Sequence, residues 1–299
     1  MLLRVFKSNH PYVIFLIPLL GVLFWAPSLF NVHYNIPQAT VINYSYLYKL
    51  LFGFLENNKT LSVFIGLVFM IIQSYILIRL NFKFIFIESK TYLPSIIFII
   101  YSSLIIYYQQ VHPLLVANFF ILLAIDRVFI FDKEKNKFKR YFEGGFLIAL
   151  GVLFYPNLFY FIILLWLTQI LLRTFNWREL TSSIIGIVTP IIIYFAILFL
   201  LDSSSIILSD IKLIYLKTPS LPKFSIYSLC AFGVLAFILF ISIISSARLV
   251  GLKKVSSRKY FSLFFWFLAL CLVLFYFHPS FSYELILIAA IPISIIQTL

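Results

Sequence analysis

Residues 61–80 read Leu-Ser-Val-Phe-Ile-Gly-Leu-Val-Phe-Met-Ile-Ile-Gln-Ser-Tyr-Ile-Leu-Ile-Arg-Leu, with Arg79 as the sole charge. A helix of this length rises about 30 Å, the thickness of a bilayer's hydrocarbon core, so the stretch reads as a membrane span. The rest of the chain repeats the pattern. Of 299 residues, 63% are hydrophobic, 20% aromatic and 11% charged, enough apolar sequence for on the order of nine spans. That composition excludes a soluble globular protein.

Lys and Arg number 23 against 10 Asp and Glu, a net charge of +13. With the N-terminus inside, 18 of the 23 fall in inside connections, and Lys49, Lys59, Lys212, Lys217 and Lys223 lie outside. This asymmetry is the positive-inside bias of a multi-pass membrane protein. The basic residues border apolar segments and form no continuous face, which argues for membrane lipids as partners and against nucleic acid. Cys230 and Cys271 lie in apolar runs as small hydrophobes, with neither a disulfide framework nor zinc spacing.

The expected fold is all-α: a single integral membrane domain over 1–299, a polytopic bundle of about eight full spans with a short broken hairpin at 144–172 and a cytoplasmic N-terminus. The first span, 12–30, contains Pro18, Gly21 and Pro27 and should kink. It exceeds a signal-peptide core, lacks a cleavage site and reads as retained. Residues 44–55 should form a short helix on the outer surface, with Leu47, Leu50, Leu51 and Phe54 at helical spacing. Its Tyr44, Tyr46 and Tyr48 suit the headgroup layer. Further spans are expected at 61–80, 92–108, 113–131, 181–201, 224–247 and 260–277. Residues 283–299 re-enter with no basic anchor behind them, as in a chain cut short.

The segment 144–173 is too long for one straight span, and Tyr155-Pro156-Asn157 interrupts it. Basic flanks favour an even number of crossings, giving helices 144–154 and 157–172 that either cross twice or re-enter. An arm of eleven residues rises only about 17 Å, so it needs shelter among other helices or a thinned bilayer. Backbone freed at the break must face protein or a wet cavity, and Asn157 with it.

Asp126 shares a helical face with Asn118 and Leu122. An ionisable group inside a span is a candidate site by default; the alternative sets Asp126 and Arg127 at headgroup level, wetted beside Asp132 and Lys133. Asn176-Trp177-Arg178-Glu179 has the form of a capping box with an interfacial Trp; the other reading gives Arg173 and Arg178 to a lipid headgroup. His10, His112 and His278 each precede proline, as a polar residue closing a turn before an N1 proline does. The alternative is an outer metal site of His33, His112 and His278 with Asp202 or Glu284. No connection is long enough for a separate catalytic domain, and there is no phosphate-cradling glycine loop, serine elbow or zinc-protease helix. Any chemistry must therefore act at the membrane, on a lipidic substrate, with the cofactor unassigned.

Several stretches together resemble an uncharacterised family of multi-pass inner-membrane proteins of Bacteroidota: Phe6-Lys7-Ser8-Asn9-His10-Pro11, Tyr92-Leu93-Pro94, Pro113 to Asn118, Gly145-Phe146-Leu147, Leu153-Phe154-Tyr155-Pro156, Asn176 to Glu179 and Thr189-Pro190. The resemblance covers most of the chain and implies an inner-membrane location without an established activity. More loosely, the kinked first span, outer amphipathic helix and short paired helices are similar to polytopic glycosyltransferases and polymerases that use lipid-linked sugars. Those enzymes carry an acidic residue early in the first outer loop, whereas here that loop has only Glu56, near its end.

Acid catalysis then falls to Glu56, Asp202 or Glu284, and substrate binding to Asn157, His33, Arg173, Arg178 and Asp126. The function this implies is handling of a lipid-linked envelope glycan precursor at the outer leaflet. A non-catalytic scaffold or assembly subunit with membrane-protein partners explains the missing early acid equally well. A carotenoid-cleaving oxygenase with iron on histidines is disfavoured, because His10 stands apart from the other three. A lipid carrier in an outer cavity would mark the lipid handler; closure of that cavity by apolar packing would mark the scaffold.

Overall fold

A computed structural model describes residues 12–30, 45–55, 58–84, 86, 91–129, 136–172, 175–201, 226–251, 253, 255–277 and 285–299. Their regular structure is all helical. In chain order the helices are α1 (Tyr12–Phe30), α2 (Tyr46–Phe52, running on as a 3-10 turn), α3 (Lys59–Phe84), α4 (Leu93–Ser103), α5 (Pro113–Val128), α6 (Lys137–Phe154), α7 (Ile162–Leu171), α8 (Trp177–Leu200), α9 (Ile226–Val250), α10 (Val255–Phe277) and α11 (Leu285–Ile296). Among the described residues α1, α3, α8, α9 and α10 contain segments long and apolar enough to cross a membrane. The helices α4, α5 and α11, which the sequence also reads as spans, have 11, 16 and 12 residues.

The distribution of polarity is that of a membrane protein. Gln73, Asn118, Ser95 and Ser294 are fully buried, while Phe15, Leu200 and Tyr276 are at least 80% exposed. Outside a bilayer this much exposed apolar surface would aggregate; in lipid it needs no cover. Inside, polar side chains tie helices together where hydrophobic burial gives no preference. Gln73 of α3 donates to the Leu115 carbonyl at 2.8 Å, and Asn118 of α5 donates to Gln73 Oε1 at 3.2 Å and to the Leu287 carbonyl at 3.4 Å. Trp25 of α1 donates to Ser103 Oγ at 3.1 Å, binding α1 to the end of α4. The main core draws on α1, α3, α4, α5, α7, α10 and α11. Within it α11 is central, with nearly every residue from Leu287 to Ile296 buried. The outlying helix is α9, whose Val234, Phe237 and Phe240 face outward while Leu235, Leu239 and Ile243 pack against the core.

Small residues set the closest helix approaches. Ser182 Oγ of α8 donates to the Phe138 carbonyl of α6 at 2.7 Å, and Gly145 and Gly186 lie where these helices touch. A side chain on Gly186 would run into the Phe142 carbonyl.

The broken hairpin forms, with a longer first arm than the sequence reading allows. Its first helix starts at Lys137 instead of 144 and has 18 residues, a rise of about 27 Å. The four extra ionisable groups, Lys137, Lys139, Arg140 and Glu143, are good helix formers whose charged heads reach water while the backbone stays helical, so they do not end the helix. The break falls at Tyr155-Pro156, where Tyr155 is extended (φ −133°, ψ 94°) as a residue before proline should be. A 3-10 stretch, Pro156–Phe161, then leads into α7.

Candidate functional site

At one end of α5, Pro113 occupies the first turn and His112 is the N-cap. His112 Nδ1 accepts from the Leu115 amide at 3.2 Å, so the polar residue before this proline closes the turn as its position predicts. Nδ1 is an acceptor, hence Nε2 carries the proton; among the described residues this buried N–H meets no acceptor in good geometry, and the nearby Tyr108 backbone favours the protonated ring only weakly against burial. Burial pushes the imidazole down to about 3.

Above this turn lies α2. Tyr48 does not face lipid as the sequence reading has it: it is 4% exposed, and its hydroxyl donates to the Val111 carbonyl at 2.8 Å. Ser45 Oγ donates to the Leu153 carbonyl at the tip of α6. Tyr48 and Leu55 pack with Val111, Val116 and Phe154 into a separate apolar cluster, with Leu50 and Phe54 left on the outer face. Asn157, in the break, is 9% exposed and donates to the Tyr155 hydroxyl at 3.4 Å, inside the protein. This end of the bundle is capped by a short helix packed on apolar side chains.

The opposite ends of α3 and α5 meet the first turns of α6 around a polar cleft of about 400 Å³. Asp126 is 8% exposed and accepts from Lys83 Nζ at 2.7 Å, while its backbone carbonyl accepts the same ammonium at 3.3 Å. Glu143 accepts from Arg127 at 3.1 Å and lies 3.9 Å from Lys139, one turn earlier on α6. Arg79 and Arg140 complete the lining charges. Next to Lys83 in the chain, Phe84 joins Phe86, Phe129, Tyr260 and Phe264 in a cluster packed ring on ring, with Phe129 and Tyr260 stacked at 5.0 Å.

Asp126 is buried and ion-paired with Lys83, while Asp132 and Lys133, its expected neighbours at headgroup level, lie outside the described residues. The polar stripe of α5 divides by depth: Asn118 ties helices together, and Asp126 faces the cleft. The capping box at Asn176 does not form, since the Asn176 side chain makes no cap hydrogen bond and Glu179 is buried with Oε2 unpartnered. Arg178 is exposed at the start of α8 and does not line the cleft. The catalytic candidates Glu56, Asp202 and Glu284, and His33, Arg173 and His278, lie outside the described residues. Among the described residues no group of three His, Cys, Asp or Glu gathers as a metal site. What sequence reasoning missed is the joining of Arg79, Lys83, Lys139, Arg140 and Glu143 around Asp126. The available signal was their four-residue spacing, Arg79 with Lys83 and Lys139 with Glu143, which puts each pair on one helix face.

No curated protein and no solved structure matches this chain. Residues 41–298, nearly its whole length, match a family of unknown function, DUF6427, and the chain belongs to that family.

Proposed function

We propose that this protein is a non-catalytic scaffold or assembly subunit of a bacterial inner membrane. The observation that carries this reading is the apolar closure over His112: Tyr48, Leu55, Val111, Val116 and Phe154 fill the end of the bundle where an outer cavity would open. Among the described residues, polar side chains there serve the structure, Tyr48 on Val111, Ser45 on Leu153 and His112 on the start of α5. The broad apolar faces of α8 and α9, with Phe195 and Phe237 outward, are the surfaces a membrane partner would cover.

The second reading is handling of a lipid-linked envelope precursor at the outer leaflet, with Glu56, Asp202 or Glu284 as the acid. One observation favours it: among the described residues no acceptor meets the buried Nε2–H of His112 in good geometry, and such donors are normally satisfied by protein, water or ligand.

Extraction of the full chain with its surrounding native lipids, followed by lipid mass spectrometry, separates the two. The scaffold retains lipids in the proportions of the bulk membrane, and photo-reactive residues at Phe195 and Phe237 give a discrete cross-link to one membrane protein. Enrichment of a polyprenyl-linked glycan would reverse the order.

A further inference from the structure

We propose that the cleft between α3, α5 and α6 binds the phosphate of an anionic lipid headgroup. Among the described residues, five cations, Arg79, Lys83, Arg127, Lys139 and Arg140, and two carboxylates line this void, an excess of positive charge. The carboxylates do more than offset charge. Buried Asp126 holds Lys83 by two contacts, and Glu143 stands between Arg127 and Lys139, so at least three of the five cations are oriented before a ligand arrives. Arg79 and Arg140 add planar donor forks, which suit the paired oxygens of a phosphate.

The surroundings favour a lipid over a free anion. The cleft opens at the end of α3, a membrane-crossing helix by length and composition. Its rim is amphipathic: Phe138, 54% exposed, precedes Lys139, and Lys83 Nζ lies 4.9 Å from the centre of the Phe84 ring. Basic pockets between membrane helices at the leaflet boundary take anionic headgroups, with the acyl chains left in the bilayer. Such a site is compatible with either reading of the function and goes beyond both.

The test is native mass spectrometry of the full chain in detergent, titrated with dioleoylphosphatidylglycerol, dioleoylphosphatidylcholine or inorganic phosphate. Phosphatidylglycerol should bind at least about tenfold more tightly than the zwitterionic lipid. Arg79→Gln with Arg140→Gln should erase that preference, while Lys253→Gln with Arg258→Gln, an equal charge change elsewhere, should leave affinity within about twofold. Asp126→Asn separates a built site from diffuse attraction: it raises the net charge yet should weaken binding, because Lys83 loses its anchor. If helicity shows that the paired arginine variant is misfolded, Lys139→Gln, at a side chain 76% exposed, replaces it and should weaken binding about threefold. Equal loss in the control pair, tighter binding by Asp126→Asn, or no preference for phosphatidylglycerol would each overturn the proposal. Inorganic phosphate binding as tightly as the lipid would overturn the assignment to a headgroup.

Discussion

Gly145 of α6 lies against Ser183 of α8 so closely that a β-carbon added to it would stand 2.5 Å from the Ser183 carbonyl oxygen. No L side chain fits there without moving a helix. Gly145→Ala should therefore cost about 1–3 kcal/mol, as overpacked cores do, and lower the thermal midpoint in detergent by several degrees. Gly233→Ala is the control: no atom lies within 4 Å of its added carbon, and the exchange should be neutral or slightly stabilising.

The tie between Gln73 and Asn118 makes a different prediction. Gln73→Leu removes the bonds to the Leu115 carbonyl and from the Asn118 amide, which keeps only its longer bond to the Leu287 carbonyl, and should cost about 1–3 kcal/mol. Adding Asn118→Leu removes the group left stranded, so the double variant should be less destabilised than the sum of the singles. Strict additivity in denaturation would show that the two side chains are uncoupled.

The imidazole of His112 predicts a pH dependence. Its folded pKa is pushed down to about 3, against about 6.5 in an unfolded chain. The neutral form is thus favoured by folding, and the stability it brings is complete above about pH 6.5 and is lost as pH falls from there toward 3. His112→Asn keeps an acceptor for the Leu115 amide but cannot titrate, so its midpoint should fall less between pH 7 and about 5 than that of the parent.

The charge bias predicts orientation. In a background lacking Cys230 and Cys271, Lys139→Cys and Lys253→Cys should react with an impermeant thiol reagent only from the cytoplasmic side, and Tyr46→Cys only from outside. Labelling of Lys139→Cys from outside would invert the bundle.

Much of the helical layout was legible, because a membrane helix is written as a long apolar run: α1 matches the expected 12–30, α9 lies within a few residues of its expected range, and α10 ends where expected but starts at Val255 instead of 260. Boundaries failed where charge was taken as an end. Lys137 to Glu143 read as a loop and are helix, since a long basic side chain can lift its head into water from a position well inside an element. His112 was legible as a cap from its proline alone. The cleft was not, because its charges come from three helices, and nothing in one sequence says that the end of α3 meets the start of α6. Tyr48 was misplaced for a related reason: amphipathic spacing shows that α2 has two faces but not which of them has protein beneath it.

The short helices also bear on how this protein is made. With 12 residues α11 rises only about 18 Å, too little to be held by a bilayer on its own, yet nearly all of it is buried against α4, α5 and α10. Every helix that surrounds it is synthesised earlier, so α11 leaves the ribosome toward a slot already lined and waiting. Until it docks, Asn118 lacks the Leu287 carbonyl and the slot stands open, a polar defect that hydrocarbon does not satisfy. Docking of α11 is then the step that fills this slot and gives Asn118 its partner across the bundle.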